Sequence, residues 1–312
     1  SKGQLGDGPT SEGVTGGSIS DDYIHRSFTY TGTGDLNYTA FPVQVKTAKD
    51  TPLVNVVSAS ANKDYNVAAD ANGDVYIWGS VNGLSYTYAQ KMAGFEGKNI
   101  IAVSAGYTHF IALSKDGYVY SWGANSYGQV GINTTDNVYV ATLVQKSNGI
   151  EPIEDAVKVS AISNTSLILT RDGQVYAWGQ NVTGTTAVGN ATVNLGGYLG
   201  TGYSIRHRFT SRNSFNPTNT YENRLRPTKV LTADTLQTAD YANKYFNGAM
   251  DIAAGTYHSV AINDNYVYTW GYNGNSQAES LKILSQKNSE EGLQIMKDEK
   301  TDIAKELYRI CK

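Results

Sequence analysis

The chain is poor in cysteine, in charge and in long apolar runs. Its 312 residues include one cysteine, Cys311, so no internal disulfide framework can form. Charged residues make up 17% of the chain and the net charge is −3, which argues against the basic surface that DNA or RNA binding requires. No apolar run approaches the roughly 18 residues of a membrane span. We therefore expect neither a nucleic-acid partner nor a membrane span.

Catalytic and metal-binding motifs are also missing. The four histidines show no His-x-x-x-His spacing, and no cysteine pair or carboxylate cluster has the spacing of metal ligands. The glycine-rich stretches lack the Lys-Ser or Lys-Thr that completes a phosphate-binding loop. The sequence therefore predicts a protein with no enzymatic activity and no cofactor or metal ion.

Glycine and tyrosine are abundant, with 32 and 23 residues, and one pattern organises them. A Trp-Gly pair occurs four times, and the position five residues before each tryptophan holds glycine or asparagine, preceded by Asp or Asn. Asx-Gly between two apolar runs predicts a β-hairpin, because such a turn needs positive φ angles. The repeated positions are therefore predicted to be structural: Gly73, Gly117, Gly173 and Asn265, and Trp78, Trp122, Trp178 and Trp270.

The strand that follows each turn is apolar on both faces. Val119 and Trp122 are three residues apart, so they lie on opposite faces of a strand. Such a strand is covered on both sides, as in a blade stacked between two others. The 44 residues from Trp78 to Trp122 are a typical blade length, whereas the two later spacings, 56 and 92 residues, indicate insertions.

The most complete unit has Gly106-Tyr107-Thr108-His109, Asp116-Gly117, Trp122-Gly123 and Tyr127-Gly128-Gln129-Val130-Gly131 in order. This unit resembles the repeat of the regulator of chromosome condensation family, a β-propeller that is usually closed by seven blades. The resemblance covers residues 1–277. His109 and His258 occupy equivalent positions, which favours a structural role, such as a bond to a backbone carbonyl between blades.

The number of blades is smaller than in that family. We expect about four complete blades and a partial one, because residues 3–8 resemble a blade tail without its Trp-Gly. This tail either closes the final blade, or the chain is a fragment or an open arc of a larger ring. We favour the second arrangement.

Two segments depart from the repeat. Residues 9–40 and 180–226 are rich in Gly, Ser, Thr, Asn and Tyr, so their composition predicts loops. The second segment contains basic residues and exposed tyrosines that could dock a partner; the alternative is a solvated insertion whose charges pair with nearby acids. The candidate partner-binding residues are Tyr203, Arg206, His207, Arg208, Arg212 and Tyr221, with Arg224 and Arg226 in the same basic cluster.

Residues 278–312 change in character. Lys, Glu and Asp become frequent, and apolar residues from 297 to 312 recur at helical spacing. We expect an amphipathic helix there, which either packs on the propeller or is presented to a partner.

Taken together, the repeat and its insertions favour a non-enzymatic scaffold that binds a protein through propeller loops. Two alternatives remain open. The family resemblance implies nucleotide exchange on a small GTPase. The amino-acid composition, which is rich in Gly, Asn, Thr and Tyr, resembles that of bacterial members of the family. This resemblance implies a secreted protein that binds carbohydrate or a cell surface. We expect an extracellular or cell-surface location rather than the cytoplasm.

Overall fold

A computed structural model describes seven stretches of the chain. They are residues 4–6, 42–81, 83–188, 191–201, 222–231, 245–264 and 266–272, with only the backbone described over 183–188 and 191–196. The expected helix at 297–312, the insertion 9–40 and residues 202–221 lie outside the described residues.

The described residues form nineteen strands, and four antiparallel sheets follow one another along the chain. The first sheet contains β3 (Val56–Ala61), β4 (Tyr65–Asp70), β5 (Val75–Val81) and β6 (Leu84–Lys91). The second contains β7 (Ile100–Ala105), β8 (His109–Ser114), β9 (Val119–Gly123) and β10 (Val138–Leu143). The third contains β11 (Ala156–Ile162), β12 (Thr165–Thr170), β13 (Val175–Gly179) and β16 (Arg224–Lys229). The fourth contains β17 (Asp251–Ala254), β18 (His258–Ile262) and β19 (Val267–Gly271).

Two small hairpins lie outside the four sheets. One pairs β1 (Lys46–Ala48) with β2 (Thr51–Pro52) before the first sheet. The other pairs β14 (Val182–Val188) with β15 (Ala191–Gly196), between the last two strands of the third sheet. The expectation of an all-β fold built from propeller blades is therefore confirmed.

The hairpin turns lie where the Asx-Gly pairs predict them. In the second sheet, Leu113 of β8 pairs with Val119 of β9, and Gly117 between them has a φ of 88°. Gly117 N donates a hydrogen bond to Ser114 O at 3.0 Å, which closes the turn. A residue with a Cβ strongly disfavours this φ, so glycine suits the position.

The hydrophobic core lies between neighbouring sheets. Val119 is fully buried and Trp122 is 8% exposed, although the two side chains leave opposite faces of β9. Trp122 belongs to a cluster shared by the first and second sheets, whereas Val119 belongs to one shared by the second and third. Each inner sheet is therefore covered on both faces.

Serine side chains connect the first strands of successive sheets. Ser60 Oγ accepts a hydrogen bond from Ala105 N at 3.0 Å, and Ser104 Oγ accepts one from Ala161 N at 2.8 Å. Ser160 Oγ repeats the bond to the fourth sheet, at 3.0 Å from Ala254 N. Because the three serines occupy one repeat position, the first strands lie side by side in a fixed register.

Removing one of these serines tests how much the register bond contributes. We expect Ser104→Ala to lower the free energy of unfolding by about 1 kcal/mol, because Ala161 N loses its acceptor between the second and third sheets. Ser126→Ala, at an exposed position, is the matched control and should leave stability unchanged. Urea unfolding of the three proteins measures the difference, and equal values for both variants would contradict the role of the serine.

The segment between the third and fourth strands of the third sheet differs from its prediction. Composition predicts a loop over residues 180–226, but β14 and β15 pair as a hairpin and β16 is the outer strand of the sheet. Threonine, valine and alanine can pair as strands wherever cross-strand partners are available, so composition alone did not predict these strands.

Gln4, Leu5 and Gly6 lie against the first sheet. Lys46 N donates to Gly6 O at 2.8 Å. Among the described residues, β19 pairs with β18, and no pairing of β19 with residues 4–6 is present.

Candidate functional site

Among the described residues, short tails lie against the tryptophans of the first, third and fourth sheets. Trp178 Nε1 in the third sheet donates to Gln129 O at 2.8 Å, and Trp78 Nε1 donates to Gln4 O at 3.1 Å. A Cβ on Gly131 would lie 2.7 Å from Trp178 Nε1, so glycine is needed for the tail to lie this close to the indole. At Trp178, the tail and the indole together seal the junction between the second and third sheets.

His109 forms part of the same seal. Its side chain is fully buried, and its Nε2 lies 2.8 Å from Ser166 Oγ in the third sheet. Ser166 Oγ donates to Gln129 O at 2.9 Å, so Nε2 carries the proton and donates to the serine. His109 therefore bonds a hydroxyl of the next sheet, where the sequence suggested a backbone carbonyl. Burial lowers the pKa of His109 to about 3.

The first sheet has Tyr65 in the position of His109. Tyr65 OH donates to Gly106 O at 3.0 Å and also bonds His109 O, both in the second sheet. Asn62 Nδ2 donates to the same Gly106 O at 2.5 Å. The residues that depart from the repeat thus bond across the junction as well. In the fourth sheet, His258 is half-buried, and burial lowers its pKa.

The predicted basic cluster is only partly described. Tyr203, Arg206, His207, Arg208, Arg212 and Tyr221 lie outside the described residues. Arg224 and Arg226 are on β16, where Arg224 Nε donates to Thr201 Oγ1 at 3.2 Å and Arg226 Nη1 donates to Ser147 O at 3.2 Å. Burial also lowers the pKa of Arg224. Both arginines therefore make bonds within the fold.

The structure reveals a surface that sequence reasoning missed. Four apolar side chains at one repeat position, just before or early in the first strand of each sheet, are exposed by 43–61%. They define the apolar row: Val57, Ile101, Val157 and Met250. Buried packing cannot account for a large apolar side chain that is repeated and left in solvent at the same position.

A β-bulge produces the row. Ile100 pairs with Ser114 and Ala102 pairs with Leu113, so Ile101 is an extra residue with no opposite partner. The same register shift falls at Val57 in β3 and at Val157 in β11. A bulge bends its strand and redirects a side chain, so three of these residues are turned away from the core by the backbone itself.

The fourth sheet continues the row. Met250 N donates to Ile262 O at 2.8 Å, while Asp251 is the residue that pairs with Ile262. Two residues thus oppose one, as at the other bulges. Beside the row, Lys158 Nζ forms an ion pair with Asp251 Oδ1 across the third and fourth sheets.

Metal ligands are not grouped together in the described residues. In that part of the chain, no three His, Cys, Asp or Glu side chains stand close enough together to hold a metal ion. Within the same residues, no helix has the length and hydrophobicity to cross a membrane.

Comparison with protein families identifies the repeat. Two models described as "Regulator of chromosome condensation (RCC1) repeat" match, one over residues 100–129 and 156–184, and the other over residues 116–169. The chain is an RCC1-like repeat protein. The matched residues include Trp122, Gly117 and His109, which form the junctions described above.

Curated relatives match a limited part of this RCC1-like chain. The E3 ubiquitin-protein ligase HERC2 of Homo sapiens is 29% identical over 136 residues, which covers 40% of this chain and 3% of HERC2. HERC2 of Mus musculus matches to the same extent. The chain thus spans a small fraction of the length of these relatives.

Solved structures with a similar arrangement are also distant in sequence. Human WBSCR16 is 18% identical with a TM-score of 0.47, over 70% of this chain and 48% of that protein. Prp20p from Saccharomyces cerevisiae, whose structure was reported with its binding properties to Gsp1p and histones, is 18% identical with a TM-score of 0.38. That match covers 72% of this chain and 59% of Prp20p.

Proposed function

We propose that this RCC1-like chain is a non-enzymatic protein-binding scaffold, and that the apolar row is part of its contact surface. The observation that supports the proposal is the repeated bulge, which exposes an apolar side chain at one position of each sheet. Buried apolar area supplies most of the driving force of protein association. A row of such side chains on rigid strands is preorganised for a partner, because little conformational entropy is lost when it binds.

The neighbourhood of the row favours a protein partner over carbohydrate or nucleic acid. Valine, isoleucine and methionine provide no hydrogen bonds for sugar hydroxyl groups and no positive charge for phosphates. The adjacent Lys158–Asp251 pair places one charge of each sign beside the apolar side chains. Polar groups around an apolar centre are typical of protein interfaces.

Two charges introduced into the row test this function. We expect the double variant Ile101→Asp/Val157→Asp to lose the proteins that the wild-type chain retains from a cell extract, because each aspartate would be desolvated against an apolar partner surface. The matched control is Ile150→Asp, which puts the same charge on a single apolar residue that is 83% exposed and outside the row. Affinity capture with quantitative mass spectrometry compares the three proteins.

Thermal unfolding of the same variants should show small changes, since the substituted side chains are exposed. An identical set of captured proteins for the wild type and the double variant would refute the row as a contact surface. Stimulated nucleotide release from a small GTPase, or selective binding on a glycan array, would replace the scaffold with one of the other two functions.

A further inference from the structure

Trp122 is 8% exposed, and its Nε1 has no hydrogen-bond partner in the part of the chain that the structure describes. The Nε1 of Trp270 also lacks a partner there, but Gly200 lies against that indole, whereas no described glycine lies against Trp122. The equivalent Nε1 atoms of Trp78 and Trp178 each donate to a tail carbonyl. A buried N–H without an acceptor destabilises the folded state, so its presence requires an explanation.

Among the described residues, no tail glycine lies against Trp122. Gly6, Gly131 and Gly200 lie against the indoles of the first, third and fourth sheets, with φ values of 67°, 84° and 65°. Between β5 and β7 the chain has three glycines, and none of them lies against Trp122. A Cβ on Gly83 or Gly97 would meet nothing within 4 Å, and the atoms nearest to Gly94 belong to Ala141.

A short connection accounts for the missing tail. In the second sheet, the link from β9 to β10 runs from residue 124 to 137 and contains the tail that covers Trp178. In the first sheet, Val81 ends β5 and pairs with Leu84 at the start of β6, so two residues replace the whole link. The described residues therefore include no tail that covers Trp122.

A cleft lies at this position. Its volume is about 510 Å³, within the range of small-ligand sites, and its walls come from the first and second sheets. The apolar and aromatic side chains of its lining include Ile77, Val81, Leu84, Tyr86, Trp122 and Tyr139, beside the polar Gln90 and Lys91. Leu84 and Tyr139 are 59% and 60% exposed, so the rim of the cleft is open to solvent.

We propose that the Trp122 cleft binds an extended segment of a partner protein. In that segment, one backbone carbonyl oxygen accepts a hydrogen bond from Trp122 Nε1, and a glycine lies two residues after the residue that supplies this oxygen. The chain itself supplies the template, because Gln4 with Gly6, and Gln129 with Gly131, have this spacing against their own indoles. An Ala in place of the glycine would meet the indole at about the 2.7 Å found for a Cβ on Gly131. Specificity for glycine therefore follows from close approach.

This inference deepens the proposed protein-binding function, but it concerns a different surface. The cleft and the apolar row share no residue. Loss of binding at the cleft and loss of binding at the row can therefore be measured separately.

The test uses the whole chain and a seven-residue synthetic peptide with the sequence of residues 126–132, Ser-Tyr-Gly-Gln-Val-Gly-Ile. With four tryptophans, a ¹⁵N–¹H spectrum contains four indole signals, and Trp122→Phe assigns one of them. We expect the peptide to shift the Trp122 signal downfield and to leave the other three unchanged. A control peptide with alanine in place of the second glycine should produce no shift.

Two variants complete the experiment. Trp122→Phe keeps an aromatic ring, although a smaller one, and removes the donor; it should weaken peptide binding roughly tenfold, the effect of one buried hydrogen bond. Tyr139→Ala removes an exposed wall of the cleft and should weaken binding without affecting the fold. The row variant Ile101→Asp/Val157→Asp should bind the peptide like the wild type.

Three results would overturn the proposal. The Trp122 signal could remain unchanged at millimolar peptide, or the glycine and alanine peptides could bind equally. Alternatively, the signal could shift with protein concentration alone, in which case a second copy of the chain fills the cleft.

Discussion

Gly117→Ala is expected to lower the free energy of unfolding by about 2–5 kcal/mol. The left-handed backbone conformation costs a residue with a Cβ about 1–2 kcal/mol. The new Cβ would also overlap Glu154 O and lie 2.9 Å from the Glu154 carbonyl carbon, at the entry to the third sheet. Relieving that overlap separates two packed sheets, which adds about 1–3 kcal/mol and strains the 3.1 Å bond from Ala156 N to Gly117 O.

Gly83→Ala separates the two contributions. Gly83 has a φ of 81°, close to the 88° of Gly117, but a Cβ there would meet nothing within 4 Å. Its alanine variant should therefore lose only the conformational part, about 1–2 kcal/mol. Urea unfolding of both variants measures the difference, and equal losses would show that the hairpin glycine is needed only for its φ angle.

Acidification is expected to destabilise the protein through His109. Its pKa is lowered from 6.5 to about 3 by burial, and a second ring proton would be buried on Nδ1, which has no partner among the described residues. Above pH 6.5 both states are neutral at this residue. Between pH 6.5 and 3 the unfolded chain takes up a proton that the folded protein rejects, so stability falls by about 1.4 kcal/mol per pH unit. At pH 5 the loss from His109 is about 2 kcal/mol.

The variant His109→Gln removes this proton uptake. It should be less stable than the wild type at pH 7, because the bond to Ser166 and the ring packing change, but it should lose about 2 kcal/mol less between pH 7 and pH 5. His258→Gln is the control, and it should alter the pH dependence less, since His258 is half-buried. Urea unfolding at the two pH values provides the comparison, and parallel pH dependences for wild type and His109→Gln would refute the assignment.

The repeat could be predicted from the sequence because its motifs are local. The Asx-Gly turn and the Val-x-x-Trp strand each need only a few consecutive residues, so spacing alone identified the blades and their stacked faces. The prediction for the insertion 180–226 was less accurate. Its composition favoured a loop, but β13 provides a strand edge on which Arg224–Lys229 pairs, and Val182–Val188 pairs with a neighbouring strand. Cross-strand pairing of this kind depends on partners that are distant in sequence.

The candidate surfaces were harder to infer. Ile100 and Ile101 are adjacent apolar residues, so one of them had to face away from the core side, but the bulge that exposes Ile101 depends on how β7 pairs with β8. One sequence feature indicated the Trp122 cleft: no Gly-Gln-x-Gly motif follows Trp78, although this motif occurs at residues 3–6 and 128–131. The missing motif predicts an uncovered tryptophan only when the tertiary structure shows that such tails lie against the tryptophan of the next sheet.

Sequence by itself determined the all-β blades, the turn glycines and the RCC1-like repeat, since these depend on backbone angles and on the alternation of side chains along one strand. Tertiary structure decided which groups meet across the junctions. It placed Ser166 against His109, put Glu154 against Gly117, and left the Trp122 indole without an acceptor among the described residues. These outcomes depend on the distances between sheets, which close packing sets and no single repeat encodes.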